Sequence, residues 1–193
     1  MEFYDVEFIT SASGKDGWPD NELPEFVFAG RSNVGKSSLI NGLVNRKKLA
    51  YVGNTPGKTR LLNFFSVNKK FMFVDVPGYG FAHRSQKELA SFGRMMDEYF
   101  SDRDGLKGLV LLVDYRHIPT ADDKDMINYA RSCHLPIVVC ATKMDKCKQN
   151  ELKKFKKRIA EKLEIPEASC IGVSTKTKEG FDVVWEKIVS LSY

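Results

Sequence analysis

"EFVFAGRSNVGKSSLI", residues 25–40, decides the fold. It joins an apolar run to a glycine-bearing turn, and then to a segment in which Leu39, Ile40, Leu43 and Val44 recur at helical spacing. The turn from Gly30 to Ser37 reads G-x-x-x-x-G-K-S. A loop of this kind between a buried strand and a helix cradles phosphate. Backbone N–H groups wrap the oxygens, Lys36 neutralises them, and Ser37 offers a hydroxyl to Mg²⁺. The phosphate-end candidates are Gly30, Arg31, Ser32, Asn33, Val34, Gly35, Lys36, Ser37 and Ser38.

Outward from this unit, apolar strands keep alternating with helical stretches. "LLNFFSV" and "KFMFVDV" stand close enough across Asn68 and Lys69 to pair as an antiparallel hairpin. A helix is expected from about Ser85, with Leu89, Phe92, Met96 and Phe100 on one face. Then come "LKGLVLLVDY", a helix over about Ala121–Cys133, "LPIVVCAT", a helix over about Gln149–Leu163, "SCIGVS", and a last helix from about Gly180 to Leu191. Such alternation predicts an α/β domain: a mostly parallel sheet with helices on both faces and its ligand beyond the carboxyl ends of the strands. Residues 11–24 and 51–60, rich in Gly and Pro, read as mobile segments.

A Mg-nucleotide needs a second loop over its γ-phosphate and an Asp at the end of the next buried strand. "VDVPGYGFAH", residues 74–83, has both in Asp75 and Gly78, with Val76 and Pro77 between them, 39 residues after Lys36. In "TPGKTR", Gly57 and Lys58 precede Thr59, whose hydroxyl is the expected further metal ligand; Thr55 is the competitor. The metal set is thus Ser37, Thr59 and Asp75.

"TKMD", Thr142–Lys143–Met144–Asp145, closes another apolar strand. An ionised carboxylate only accepts hydrogen bonds, so Asp145 suits the N1–H and exocyclic amine of guanine, while adenine would set a lone pair against it. Lys143 would lay its stem across the base. Ser174, Thr175 and Lys176 end the last strand, where backbone N–H groups would meet the guanine carbonyl oxygen; a helix cap is the plainer role for Ser174.

The chain has 193 residues, 42% hydrophobic and 28% charged, with a formal net charge of +5. That fits one domain, and "GLVLLVDY" is far short of the roughly 20 residues that span a bilayer. The N-terminus carries early acids and no basic-then-apolar pattern, so a cytoplasmic protein is expected. Cys133, Cys140, Cys147 and Cys170 form no C-x-x-C pair, which suits reduced thiols.

Taken together, "GRSNVGKSS", "PGKTR", "DVPGYGF", "TKMD" and "STK" resemble the P-loop GTPases of the translation-factor class. With "LLNFF", "GYGFA" and "VDYRHIPTADD" (113–123), the chain is more closely similar to the EngB (YihA, YsxC) family, of the TrmE-Era-EngA-like class. The resemblance covers roughly residues 24–190. It implies a Ras-like domain over 24–193, with six mostly parallel strands, one of them antiparallel, and an N-terminal extension over 1–23 packing on or near it. It further implies GTP and GDP binding, Mg²⁺, slow hydrolysis, and a monomer that joins the large ribosomal subunit precursor through its rRNA and proteins. A division or septation switch without direct ribosome binding is the alternative. Thr142 stands where Asn is commoner, and His83 and Arg84 where a Lys is more usual.

In Ras-type enzymes a Gln following the D-x-x-G glycine orients the attacking water; here that position is Tyr79. Slow turnover follows unless order or charge comes from elsewhere, as from a ribosomal partner pressing on the loops. Asn33 suggests another source, since related GTPases with Asn there use it to help hold a potassium ion. Lys36, Thr59 and Asn33 are accordingly the catalytic candidates. Tyr79 and Phe81 otherwise pack against the following helix. The helix in "KCKQNELKKFKKRIAEKLE" carries Leu152, Phe155, Ile159 and Leu163 on one stripe and Lys153, Lys154, Lys156, Lys157 and Arg158 mostly off it, a basic face for RNA phosphates or simply for solvent. "RKK" at 46–48 adds further charge. An ATP-using P-loop kinase is a rival class, which Asp145 disfavours.

Overall fold

Seven strands form one sheet in the order β1-β3-β4-β2-β5-β6-β7 in the computed structural model, which describes residues 5–46, 49, 61–80 and 85–193. The strands are β1 (Val6–Ala12), β2 (Glu25–Gly30), β3 (Leu62–Val67), β4 (Phe71–Asp75), β5 (Leu106–Asp114), β6 (Ile137–Thr142) and β7 (Cys170–Gly172). The helices are α1 (Lys36–Leu43), α2 (Gln86–Asp102), α3 (Ala121–Ser132), α4 (Gln149–Leu163) and α5 (Phe181–Leu191). β2 pairs parallel with β4 and β5, and β5–β6 and β6–β7 are also parallel. β3 runs against both neighbours, β1 and β4.

Alternation along each strand divides the core into two layers. In β2, Val27 and Ala29 face α2, α3 and α4, with Tyr99, Ile127 and Leu163 packed on that side. Phe26 and Phe28 face α1 and α5, with Leu39, Ile40, Val184 and Ile188. These four β2 side chains are fully buried, each of the larger three contributing about 1.5–3 kcal/mol. The β3–β4 hairpin turns at Asn68 and Lys69, both with positive φ (54° and 52°), the geometry that a two-residue turn needs to match strand twist.

Two expectations change. The sheet has seven strands, not six, because residues 6–12 of the N-terminal segment form β1 along the edge of β3. Residues 11–24 are held in place: β1 continues to Ala12, and Trp18 packs edge-on to Tyr99 at 5.4 Å with Arg103 over its ring. Beneath them Glu25, with 0% exposure, accepts from Tyr99 Oη at 2.5 Å, Arg103 Nε at 3.0 Å and Asn21 Nδ2 at 3.2 Å. A carboxylate at the start of a central strand is thereby neutralised by the segment that covers it. On α2, Met96 and Phe100 are buried but Leu89, in the first turn of the helix, is 46% exposed. Among the described residues no helix is long and apolar enough to cross a membrane. The expectations for residues 51–60, including Thr55, and for Lys47, Lys48, Phe81, His83 and Arg84 lie outside the described residues.

Candidate functional site

Every sequence-derived candidate that is described lies at or beyond the carboxyl ends of β2, β4, β6 and β7, or on α1. Gly57, Lys58 and Thr59 lie outside the described residues. The loop after β2 bends through left-handed backbone at Asn33 (φ 61°) and Gly35 (φ 105°), and α1 starts at Lys36. Gly30 admits no side chain, since a Cβ there would fall 2.8 Å from the Leu112 carbonyl oxygen and 2.9 Å from Val34.

The second loop is joined to the first. Arg31 and Tyr79 form a parallel bridge, Ser32 N–H donates to the Tyr79 carbonyl at 3.0 Å, and Tyr79 N–H donates to the Gly30 carbonyl at 3.3 Å. A Cβ at Gly78 would stand 3.1 Å from the Ser32 backbone, so this position demands close approach. Tyr79 is buried, and its hydroxyl donates to Asp123 at 2.8 Å. Burial, reinforced by the Asp123 charge, pushes the phenol far above its ordinary range. The expected packing role is therefore met with a different partner: the tyrosine is anchored on the first turn of α3, where Asp123 also caps Thr120 through its N–H (2.8 Å) and hydroxyl (2.9 Å).

Lys36 and Asp75, both largely buried, form an ion pair at the centre of the site. Burial pushes the Asp75 carboxyl up, and the Lys36 ammonium opposes that shift. Asp75 ends β4 and Ser37 stands in the first turn of α1. Both are hard oxygen donors. Among the described residues no group of three or more His, Cys, Asp or Glu could hold a metal ion. One carboxylate plus one hydroxyl fits Mg²⁺, which binds through one or two protein ligands together with phosphate and water; the pair does not fit zinc or an all-protein calcium cage.

The base end is tied to the phosphate end. Thr142 is 1% exposed, and its hydroxyl lies 2.6 Å from the Val34 carbonyl oxygen and 3.1 Å from that of Val113. Lys143, itself left-handed at φ 62°, reaches the Asn33 carbonyl at 3.0 Å and the Asp114 carboxylate at 3.0 Å. Met144 N–H donates to the Val173 carbonyl at 3.2 Å, which fixes "TKMD" against the end of β7. Asp145 is exposed, and the buried Ser174 hydroxyl donates to it at 2.8 Å while accepting Thr177 N–H at 3.1 Å. Ser174 thus caps a local turn and also aims the Asp145 carboxylate. Thr175 and Lys176 are exposed just beyond.

Sequence reasoning gave no role to Asp114 or Asp123, and to Arg116 only family-specific contacts or local hydrogen bonds, although all three lie in the quoted "VDYRHIPTADD". Arg116 forks onto Asp114, Nε to Oδ1 at 2.9 Å and Nη2 to Oδ2 at 2.7 Å. Burial works against ionisation of Asp114, but hydrogen bonds from Arg116 and Lys143 outweigh it and hold the carboxyl well below the usual range. These groups, with Arg31 and Asn33, line a cavity of about 260 Å³ beside the phosphate loop. The signal available was positional, since Asp114, like Asp75, ends a buried strand.

Comparison with known proteins agrees with this geometry. Residues 25–143 match the family described as 50S ribosome-binding GTPase. A probable GTP-binding protein EngB from Lactobacillus gasseri is 50% identical over 190 residues, covering 97% of this chain and 98% of its own. One from Exiguobacterium sp. is 46% identical over 192 residues, covering 99% and 98%. Among solved structures, a probable GTP-binding protein EngB shares 29% identity at a TM-score of 0.68, covering 86% of this chain and 97% of its own. Era of Aquifex aeolicus, 20% identical with a TM-score of 0.65 over 89% of this chain and 57% of its own, shares the fold.

Proposed function

The chain belongs to the EngB family of GTP-binding proteins and is a GTPase, and from that premise we propose that it acts as a switch in maturation of the large ribosomal subunit in the cytoplasm, binding the precursor as a monomer in its GTP form and leaving it in its GDP form. The observation that carries the ribosomal part is the match of residues 25–143 to a family described as 50S ribosome-binding. The outward face of α4 supports it. Ile159 and Leu163 are buried and Leu152 and Phe155 partly so, while Lys153, Lys154, Lys157 and Arg158 are exposed. Only Lys157 among these is matched by a carboxylate on its own helix, Glu161 at 3.8 Å. Such a face suits RNA phosphates.

In this reading the protein positions and neutralises more than it reacts, as phosphoryl transfer requires. Asp145, aimed by Ser174, selects guanine, with Lys143 along the base and Thr175 and Lys176 at its carbonyl edge. The loop from Gly30 to Ser38 and Lys36 hold the phosphates, while Val76, Pro77 and Gly78 close over the last of them. Mg²⁺ held by Ser37, Thr59 and Asp75 would offset the charge that develops on the phosphoryl oxygens. Tyr79 points into the protein, so water orientation falls to another group. Asn33, in its left-handed turn, is the candidate to bring a potassium ion there, and faster single-turnover hydrolysis in potassium than in sodium is the expected sign.

Sedimentation of the protein with large-subunit precursors tests the ribosomal role. Comigration with a GTP analogue, little with GDP, and a steep fall with rising salt are expected. No comigration in either nucleotide state sinks the role while leaving GTP binding untouched. For the base pocket, Asp145→Asn should lose its preference for GTP over other purine triphosphates.

A further inference from the structure

The stretch from Asp114 to Asp123 touches the nucleotide elements at both of its ends, yet it belongs to none of the nucleotide motifs. At its start four groups stand in a row. Arg116 forks onto Asp114, whose Oδ1 also accepts from the Arg116 backbone N–H at 3.1 Å; Lys143 Nζ lies 3.0 Å from Asp114 Oδ2; and the same Nζ donates to the Asn33 carbonyl at 3.0 Å. The register that makes this possible is the β5–β6 pairing, which sets Asp114 directly beside Thr142.

We propose that Asp114, steadied by Arg116, is a positioning residue for guanine-nucleotide binding: it fixes the Lys143 ammonium against the phosphate-loop carbonyl of Asn33. A lysine side chain loses much rotamer freedom when it is laid along a ligand. An ammonium already shared between a carboxylate and a carbonyl has lost that freedom beforehand, so less ordering is left for binding. The same bond steadies Asn33 in a left-handed conformation that non-glycine residues adopt at a cost. The Asp114 carboxylate is taken up by Arg116 and Lys143, so its effect passes through Lys143. Arg116 supplies what lysine alone could not, a rigid planar fork that keeps both carboxylate oxygens in one orientation. Its side chain is 36% exposed, against 13% for Asp114, so it closes the row on the solvent side.

The inference depends on guanine-nucleotide binding and not on the ribosomal role, so either can fail without the other. The test uses the full chain with the variants Asp114→Asn, Arg116→Gln and Lys143→Ala and the double variant Asp114→Asn/Lys143→Ala. Release of a fluorescent GDP is followed by stopped flow, alongside melting of the nucleotide-free protein. Asp114→Asn should release GDP roughly tenfold faster, the size expected for loss of one charge-assisted bond, with GTP-over-ATP preference kept because Asp145 is untouched. The double variant should release no faster than Lys143→Ala alone, since both changes remove one shared interaction. Arg116→Gln, altered at the exposed end, should show a smaller acceleration that also disappears in the Lys143→Ala background. Parental release rates in both Asp114→Asn and Arg116→Gln, or accelerations that persist in full without the lysine, overturn the proposal. A role confined to shaping the turn would lower the melting temperature without this dependence on Lys143.

Discussion

The Thr142 hydroxyl donates to the Val34 carbonyl at 2.6 Å, so the strand end that presents the base carboxylate is bonded directly to the phosphate loop. Both groups are buried. Thr142→Val keeps the shape and deletes the donor, leaving the Val34 carbonyl without this partner. The expected cost is about 1–3 kcal/mol. Calorimetry should therefore find a melting temperature several degrees lower, at about 2–4 °C per kcal/mol for a domain of this size, with weaker GDP binding alongside. Thr142→Ser should stay near the parent. Equal stability and affinity in Thr142→Val would show that the two ends of the site are not coupled through this bond.

Tyr79 is bonded to the phosphate loop by its backbone and to α3 by its hydroxyl. Replacing it with Gln places an amide at the end of a side chain that leaves the loop in the direction of Asp123. Tyr79→Gln is expected to stay within about twofold of the parental single-turnover rate, because water orientation needs position as well as an amide. A rise of tenfold or more would mean that the segment swings free during turnover. Tyr79→Phe, which removes a hydrogen bond to a buried carboxylate, should cost about 1.5–3 kcal/mol of stability.

Most of the framework was legible because its signals are local. The phosphate loop after a buried strand, the Asn68-Lys69 turn, and the amphipathic run that became Gln149–Leu163 each state their structure within a dozen residues. β1 was not legible. Its pairing with β3 shifts register between Phe8 and Thr10, which breaks the alternation expected of a strand, and Gly14, Gly17 and Pro19 follow at once. Asp114 and Asp123 were quoted without a role for a related reason. Their meaning lies in the β5–β6 register and in the contact of α3 with Tyr79, neither of which leaves a periodic trace in the chain.

The buried Glu25 cluster ties β1 and its connection to the central strand. Arg103→Ala leaves the Glu25 charge without its main cationic partner, and breaking a buried pair from one side costs about 3–5 kcal/mol. A melting temperature lower by roughly 10 °C is expected. Hydrogen exchange should rise first in residues 14–24, which lose the Arg103 bond to the Pro19 carbonyl at 2.7 Å. Glu25→Gln placed in the same chain should restore part of the loss by removing the unpaired charge. If Arg103→Ala melts as the parent does, the cluster does not hold the segment.

Asp114 also makes an acid-range prediction whose sign is fixed by its surroundings. Hydrogen bonds from Arg116 and Lys143 overcome burial and keep its carboxyl below the value of about 3.9 that an unfolded Asp shows. The unfolded chain therefore takes up this proton more readily than the folded one, and the group stabilises the fold at any pH above about 4. That contribution fades as the pH falls from about 4 towards the folded value. Asp114→Asn should thus be less stable than the parent at pH 7, with a difference that holds at pH 5 and narrows at pH 3. The Glu164 carboxyl is also lowered, by its hydrogen bond from Lys124, but it is present in both chains and cancels in the difference. Urea midpoints at these three pH values check it; a difference equally large at pH 3 would place the stability of this corner in packing and not in the ionised carboxylate.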